Sequence, residues 1–227
     1  MAVCAACIAG CSDSRREYGR ENALSLPGHT RQTWAVAPAV NLSGRKGVDA
    51  LLQADIVHQQ LQQVSGLTVI PVNRVAEVYN ALKIEQVQSE EQAALVCDLL
   101  NCDALVVPAV TAYDPYEPPK MGAVLNVFFR GGYKRPAGVD PRLLVRRAAP
   151  TTSPAVPPRR TFVQVTGMFD AANGSTRAEA LRYLEGRADP ASPYGDRIIF
   201  VEMDRYCGFV YHSLIAEMLG KAALAAR

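Results

Sequence analysis

Three cysteines near the start of the chain have a spacing that can hold a metal cluster. Cys4, Cys7 and Cys11 form the pattern C-x-x-C-x-x-x-C, and cysteine thiolates at short, regular spacings are the usual ligands of iron–sulfur clusters. Only Ala, Ile and Gly separate these cysteines, so the stretch has no polar side chain to orient the thiolates. An iron–sulfur cluster is therefore not favoured, and the cysteines need another explanation.

The last of these cysteines stands in a motif of its own. Ile8-Ala9-Gly10-Cys11 resembles a bacterial lipobox, the site at which a signal peptidase cleaves a lipoprotein precursor. The resemblance implies that Cys11 becomes the first residue of the mature chain and carries diacylglycerol on its thiol, which anchors the protein to a membrane. Residues 1–10 would then be the lipoprotein signal, and the polar, non-periodic residues 11–31 a flexible tether.

The stretch before Cys11 lacks parts of a complete secretory signal. No Lys or Arg precedes Arg15, whereas such signals have a basic start and an apolar run of about 7–15 residues. Either the signal is truncated and the true start lies upstream, or the lipobox is accidental and the protein is cytoplasmic. Ser12, rather than Asp, follows the cysteine, and by resemblance to enterobacterial lipoprotein sorting this predicts the periplasmic face of the outer membrane.

The rest of the chain has few residues arranged for catalysis or metal binding. There are three histidines, His29, His58 and His212, and no Gly-x-Ser-x-Gly motif accompanies them. Beyond the opening triplet, no pair of His or Cys residues has a recognisable ligand spacing. The sequence therefore predicts no catalytic residue, no metal and no cofactor.

The remaining cysteines, Cys97, Cys102 and Cys207, lie in apolar stretches. A buried free thiol is the commonest state of such residues. Cys97 and Cys102 are five residues apart, and a disulfide between them would suit an oxidising periplasm. The spacing leaves both states open, because a disulfide depends on the approach of the two Cβ atoms.

One loop resembles a phosphate cradle. Residues 41–47 follow an apolar strand, contain Gly44, Arg45, Lys46 and Gly47, and precede a helix whose N-terminus could attract an anion. The loop is shorter than the P-loop motif, and Val48 stands where the hydroxyl that binds Mg²⁺ would be. Arg45 and Lys46 are thus candidate anion contacts, and the alternative is an ordinary strand-to-helix turn.

The elements that carry these residues alternate between strand and helix patterns. Their order is β-α-β-α-α-β-β, then a basic insertion, β-α and a long terminal helix. A helical crossover favours parallel pairing of the first two strands, and a short link makes the third and fourth antiparallel. The sequence predicts an α/β (α+β) fold with a mixed sheet of about five strands flanked by helices. The predicted strands are 33–40, 67–70, 104–110, 123–129 and 162–169, and the predicted N-caps of the helices after the second strand are Asn73, Ser89 (with Gln92), Thr176 and Asp204.

Residues 32–227 are predicted to form a single domain with an insertion at 130–160. The insertion has eight basic residues against one acidic residue, together with six prolines, so it cannot form a core of its own. It is either a solvated linker or a contact for acidic protein or lipid phosphates. Its only aromatic residue is Tyr133 and the formal charge of the whole chain is +2, so nucleic acid is not an expected partner.

The first half of this pattern resembles a group of envelope domains. The strand ending in Asn41-Leu42-Ser43-Gly44, the strand at 67–70 and the stretch at 99–107 are similar to the periplasmic amino-terminal domain of the Tol–Pal propeller protein. They are also similar to the curli-export lipoproteins and the outer-membrane lipoproteins that activate penicillin-binding proteins. The similarity covers residues 32–129. It implies a non-catalytic α/β module that docks other envelope proteins.

A predicted hairpin tip carries the candidate partner contacts, Tyr113, Tyr116, Pro118 and Pro119. Tyrosine offers a large contact area at low entropic cost, and proline stiffens the loop. Alternatively, both tyrosines fold back onto the hairpin. The leading hypothesis is a non-catalytic, lipid-anchored envelope protein that acts as an interaction or assembly module. The alternative is a soluble phosphate-ligand-binding protein or enzyme that uses the 41–47 loop.

Overall fold

A computed structural model of the chain describes residues 23–27, 31–130, 162–187 and 192–225. The predicted lipoprotein signal, Cys11 and nearly all of the basic insertion lie outside these residues. In chain order the elements are β1 (Gln32–Val36), β2 (Val40–Asn41), α1 (Ala50–Gln62), β3 (Leu67–Ile70), α2 (Val72–Leu82), α3 (Glu90–Leu100), β4 (Ala104–Asp114), β5 (Lys120–Phe129), β6 (Phe162–Asp170), α4 (Gly174–Leu184), a 3₁₀ turn (Gly195–Arg197), α5 (Ile198–Val201) and α6 (Met203–Ala225).

The strands form one mixed sheet, as predicted, in the order β3-β1-β4-β5-β6. β1 is parallel to both β3 and β4, while β5 is antiparallel to β4 and to β6. The short β2 pairs with β4 beyond the end of β1 and makes the sheet six-stranded. The crossover helix α1 accounts for the parallel pair, and the tight β4–β5 link accounts for the antiparallel one.

Two prolines explain why the predicted strand 33–40 is interrupted. β1 ends at Val36, Pro38 follows, and pairing resumes only at Val40. On β4, the carbonyls of Val106 and Val110 accept hydrogen bonds from the β1–β2 side, so Pro108 between them faces that side too. The backbone nitrogen of Pro108, which has no hydrogen to donate, therefore faces the gap between β1 and β2, where no strand needs a hydrogen bond from it. The irregularity in the β4–β5 pairing lies further along β4, between Val110 and Ala112.

Helices cover both faces of the sheet, which is why β1 is apolar on both sides. Trp34 and Val36 face the larger core, built with α1, α4, α5 and α6. Ala35 and Ala37 face the smaller core, which contains residues of α2 and α3. The alternation of side chains along one strand thus serves two separate cores.

A buried polar network joins the first helix to the last. The hydroxyl of Tyr211 on α6 donates to Oε1 of Gln53 on α1 over 3.0 Å, and Nε2 of Gln53 donates to Sγ of Cys207 over 3.6 Å. All three residues are buried. Burial raises the pKa of the Cys207 thiol to about 12, so this cysteine stays protonated and unreactive at neutral pH.

The helix starts confirm some predicted caps and correct others. The Ser89 hydroxyl accepts from the Gln92 N–H, as predicted for α3. Helix α2 begins after Pro71 without a side-chain cap, so the prediction for Asn73 was wrong. Helices α4 and α6 begin earlier than predicted. The cap position of α4 is Asn173 and not Thr176, and that of α6 is Glu202 and not Asp204.

Part of the predicted tether is folded. Leu26 N–H donates to the Ser65 carbonyl and Ser65 N–H donates to the Leu24 carbonyl, both over 2.9 Å, and Leu26 is buried. The prediction of a tether over all of 11–31 is therefore wrong for these residues. Two leucines in a polar stretch are the physical reason, because they bury apolar surface beside α1 and β3.

A half-buried histidine is expected to make stability depend on pH. The ring of His212 on α6 contacts the ring of Tyr183 in a tilted arrangement, with 5.0 Å between their centroids. Its Nδ1 is buried without a hydrogen-bond partner. Burial, with the nearby Arg187 cation, lowers the pKa of His212 to about 4. Because the unfolded chain takes up this proton near pH 6.5, stability is full above pH 6.5 and falls as the pH drops toward 4, by about 1–2 kcal/mol for a partly exposed ring.

Urea midpoints measured at pH 7 and pH 4.5 check this expectation. His212→Phe keeps the ring contact with Tyr183 and removes the titrating group, so its midpoint should fall less between the two pH values than that of the native chain. Equal losses for both chains would show that His212 does not carry the pH dependence.

Candidate partner-binding site

The folded residues nearest the predicted anchor and the β4–β5 hairpin tip lie at opposite ends of the sheet. Leu24 and Leu26 pair with Ser65, just before the start of β3, and the parallel strand β1 starts at that same end. β4 runs parallel to β1 and reaches the other end at Asp114. The ten steps from Ala104 to Asp114 span roughly 33 Å at about 3.3 Å per residue.

The tip itself, residues 115–119, is held in a fixed conformation. The carboxylate of Asp114 accepts from the Tyr116 N–H over 3.4 Å, as in an Asx turn. Both oxygens of Glu117 accept from Nη2 of Arg197, over 3.1 and 3.3 Å. At the base of the loop, Lys120 pairs with Asp170 over 3.2 Å. These contacts tie both sides of the tip to the rest of the fold.

The four predicted contact residues divide into two pairs. Tyr116 is 77% exposed and Pro118 is also exposed, so both are available to a partner. Tyr113 packs against the larger core, and burial raises the pKa of its hydroxyl to about 12. Pro119 is buried, and its carbonyl accepts from the Ala171 N–H over 3.0 Å. Pro119 and the half-buried Tyr113 thus support the tip from below, and Tyr116 and Pro118 are the two of the four residues that lie exposed.

The structure adds two residues that the sequence did not suggest. Tyr194 is 56% exposed and lies in the turn before α5, and its carbonyl accepts from the Arg197 N–H over 3.1 Å. Through the Arg197–Glu117 ion pair this turn is joined to the hairpin tip, although 80 residues separate the two side chains in sequence. We call the exposed residues Tyr116, Pro118, Tyr194 and Arg197 the tip surface. Tyr and Arg are the types most enriched in protein–protein interfaces.

The 41–47 loop is organised by its own side chains. Asn41 donates through Nδ2 to the Arg45 carbonyl over 2.8 Å, and its Oδ1 accepts from the N–H of Ser43 over 3.1 Å. Gly44 has φ +69°, a left-handed conformation that glycine adopts without strain. Arg45 and Lys46 are both exposed. The loop is therefore a compact Asx-type turn with two basic side chains on its surface.

The helix that follows this loop already has an anion at its N-terminus. Asp49 accepts from the N–H groups of Leu51 and Leu52 over 2.9 and 3.2 Å. A phosphate would need the same donors and would meet the carboxylate's negative charge. The geometry does not favour the anion site at Arg45 and Lys46, which stays a prediction.

A cavity of about 400 Å³ opens between α1, α4 and the start of α6. Two of its charged side chains, Glu202 and Arg205, form an ion pair, and the Arg187 guanidinium lies over the Tyr183 ring at 4.4 Å. Within the described residues no cluster of three or more His, Cys, Asp or Glu side chains could hold a metal ion. None of the helices described for this chain has the length and apolar character to cross a membrane.

No protein-family model matches the chain, and no curated protein matches its sequence. Among solved structures, the PelC dodecamer from Paraburkholderia phytofirmans is 13% identical with a TM-score of 0.37, over 89% of this chain and 94% of that one. Lipoprotein GNA1162 from Neisseria meningitidis is 14% identical with a TM-score of 0.38, over 63% and 86%. The hypothetical protein CT253 from Chlamydia trachomatis is 11% identical with a TM-score of 0.41, over 86% and 96%. Similarities of this size support no statement about function.

Proposed function

We propose that this protein is a non-catalytic, lipid-anchored component of the bacterial cell envelope that acts as an interaction or assembly module for other envelope proteins. Cys11 carries the lipid at the periplasmic face of the outer membrane. The tip surface binds the partner.

The polarity of the sheet is the observation that supports this proposal. Residues 24–26, which are among the first that the structure describes after the predicted lipid site, lie where the parallel strands begin. The tip surface lies beyond the other end of β4, a strand that alone spans roughly 33 Å at about 3.3 Å per residue. A chain anchored by its start would therefore hold Tyr116 and Tyr194 away from the membrane, where a second protein can reach them.

The rigidity of the tip also favours binding. A flexible loop loses conformational entropy when a partner orders it, and this loss weakens the complex. Here the Arg197–Glu117 pair, the Lys120–Asp170 pair and the buried Pro119 already fix the loop. Tyr116 needs to lose only the freedom of its own side chain.

Intact mass tests the anchor. The gene is expressed from its native locus with its upstream codons, and the membrane-bound protein is weighed. We expect a chain that begins at Cys11 and carries diacylglycerol, and we expect Cys11→Ser to remain unprocessed while Cys7→Ser is processed normally. An unmodified mass that includes residues 1–10 would refute lipid attachment and place the protein outside the lipoprotein pathway.

A further inference from the structure

The end of α3 brings two cysteines together through its backbone geometry. Cys102 N–H donates to the Cys97 carbonyl over 3.0 Å, and Asn101 N–H donates to the Asp98 carbonyl over 3.3 Å. Asn101 itself has φ 51° and ψ 47°, in the left-handed region. This pair of bonds around a left-handed residue is a Schellman motif, in which the residues at Cys97 and Cys102 are the two that contact each other through their side chains.

The two thiols are in contact and isolated from solvent. Cys97 and Cys102 are both fully buried in the smaller core, beside Tyr79 and Val96. The interaction between the two thiols lowers the pKa of Cys102 and, together with burial, raises the pKa of Cys97. Both are free thiols in this structure. Cys207, the other cysteine in the described part of the chain, is bonded to the Gln53 amide and not to a thiol.

We propose that Cys97 and Cys102 are a disulfide-forming pair that closes when the protein folds in the presence of a disulfide oxidant. A thiolate of the pair attacks the oxidant's S–S bond and forms a mixed disulfide, and the second thiolate then displaces the oxidant's remaining sulfur. One S–S bond forms and one breaks. Two cysteine sulfurs are oxidised, two oxidant sulfurs are reduced, and the two thiol protons end on the released thiols.

The placement of the pair decides when this reaction occurs. A glutathione-sized oxidant cannot reach two fully buried thiols, so closure takes place during folding, before α2 and α3 cover this face of the sheet. The Schellman motif forms from local contacts and holds the thiols at short range as soon as α3 ends at Asn101. The disulfide would covalently join the last turn of α3 to the short connection between α3 and β4.

Peptide mapping of the full chain tests the proposal without reference to where the protein resides. The reduced protein is unfolded in urea and refolded in a buffer of glutathione and glutathione disulfide. It is then unfolded again in urea that contains excess iodoacetamide, so that every free thiol is alkylated, and digested with trypsin. Cys97 and Cys102 fall in one peptide, residues 84–120, whereas Cys207 falls in residues 206–221 and the opening cysteines in residues 1–15. Each cysteine group is therefore read separately.

We expect the 84–120 peptide to be lighter by about 2 Da, for the two hydrogens lost, and to take no alkyl group until it is reduced. Cys207 should take one alkyl group under the same conditions, and Cys97→Ala should leave Cys102 alkylated. A wild-type 84–120 peptide that takes two alkyl groups, or that carries glutathione instead, would overturn the proposal. The wild-type result alone decides, so a folding defect in the variant does not matter.

Discussion

Replacing Tyr116 by Ala is expected to abolish capture of the partner protein while the fold remains intact. Tyr116 is 77% exposed at the far end of the hairpin, so its ring makes little contribution to the core. Loss of a central interface tyrosine typically costs at least about 2 kcal/mol of binding free energy, or roughly 30-fold in affinity. The tagged chain is used to capture proteins from a detergent-solubilised envelope fraction, and each captured protein is quantified by mass spectrometry.

The exposed residue Leu99 provides a matched control. It is 55% exposed on α3, near the opposite end of the sheet from the tip, so Leu99→Ala removes a large side chain from a different surface. A partner of the tip surface should be lost with Tyr116→Ala, weakened with Tyr194→Ala and retained with Leu99→Ala. The free energies of unfolding of all three variants, measured by urea titration, should match that of the native chain within about 0.5 kcal/mol. If every captured protein persisted with Tyr116→Ala, the tip would not be the binding site.

The largest loss of stability is expected for Trp34→Ala. Trp34 is 1% exposed, and its ring meets Phe129 edge to face with 5.8 Å between centroids. Its indole N–H donates to the Gln32 side chain over 2.8 Å. Removing a buried Trp side chain costs about 3–5 kcal/mol, a large part of the roughly 5–15 kcal/mol that holds a domain together. We expect a sharply lower urea midpoint or an unfolded chain.

Circular dichroism is the suitable measurement, since Trp34 is the only tryptophan and its removal eliminates the fluorescence signal. Trp34→Phe keeps an aromatic ring against Phe129 and should lose clearly less stability than Trp34→Ala. A midpoint for Trp34→Ala equal to the native value would mean that the Trp34 side chain does not contribute to the larger core.

The layout of the sheet follows from features that the sequence displays directly. The apolar run at 33–40 predicted a strand, and its residues Trp34 and Ala35 face two different cores. The crossover between the first two strands and the short link before β5 predicted a mixed sheet, because these connection lengths allow one pairing direction each. Ser89 and Gln92 marked the start of α3 because a capping box is a local pattern, whose two residues are only three positions apart.

Other features depend on contacts between distant residues, which local patterns do not show. Tyr194 and Arg197 join the tip surface only because an ion pair links Arg197 to Glu117 across 80 residues. Leu24 and Leu26 looked like part of a tether, because the residues that cover them belong to α1 and β3. The sequence shows that Arg197 is charged and that the residues around Tyr194 are polar. It contains no signal that these residues contact the β4–β5 hairpin.

The two cysteines at the end of α3, Cys97 within the helix and Cys102 just after it, fall between these cases. Their spacing of five residues was compatible with a disulfide, but the approach of the thiols depends on the left-handed conformation of Asn101. Asn at that position was a usable signal, since Asn is one of the few residues other than Gly that end a helix in this way.

The contact between α1 and α6 has a consequence for the order in which the chain can assemble. The buried bond between Gln53 and Tyr211 joins residues that are 158 positions apart. A ribosome releases the chain from its N-terminus, so the apolar face of α1 has no complete partner until α6 has been synthesised. Pairings of such long range also form slowly. The nascent chain thus lacks its finished core through most of its synthesis, and the export that the proposed function requires would begin from that unfolded state.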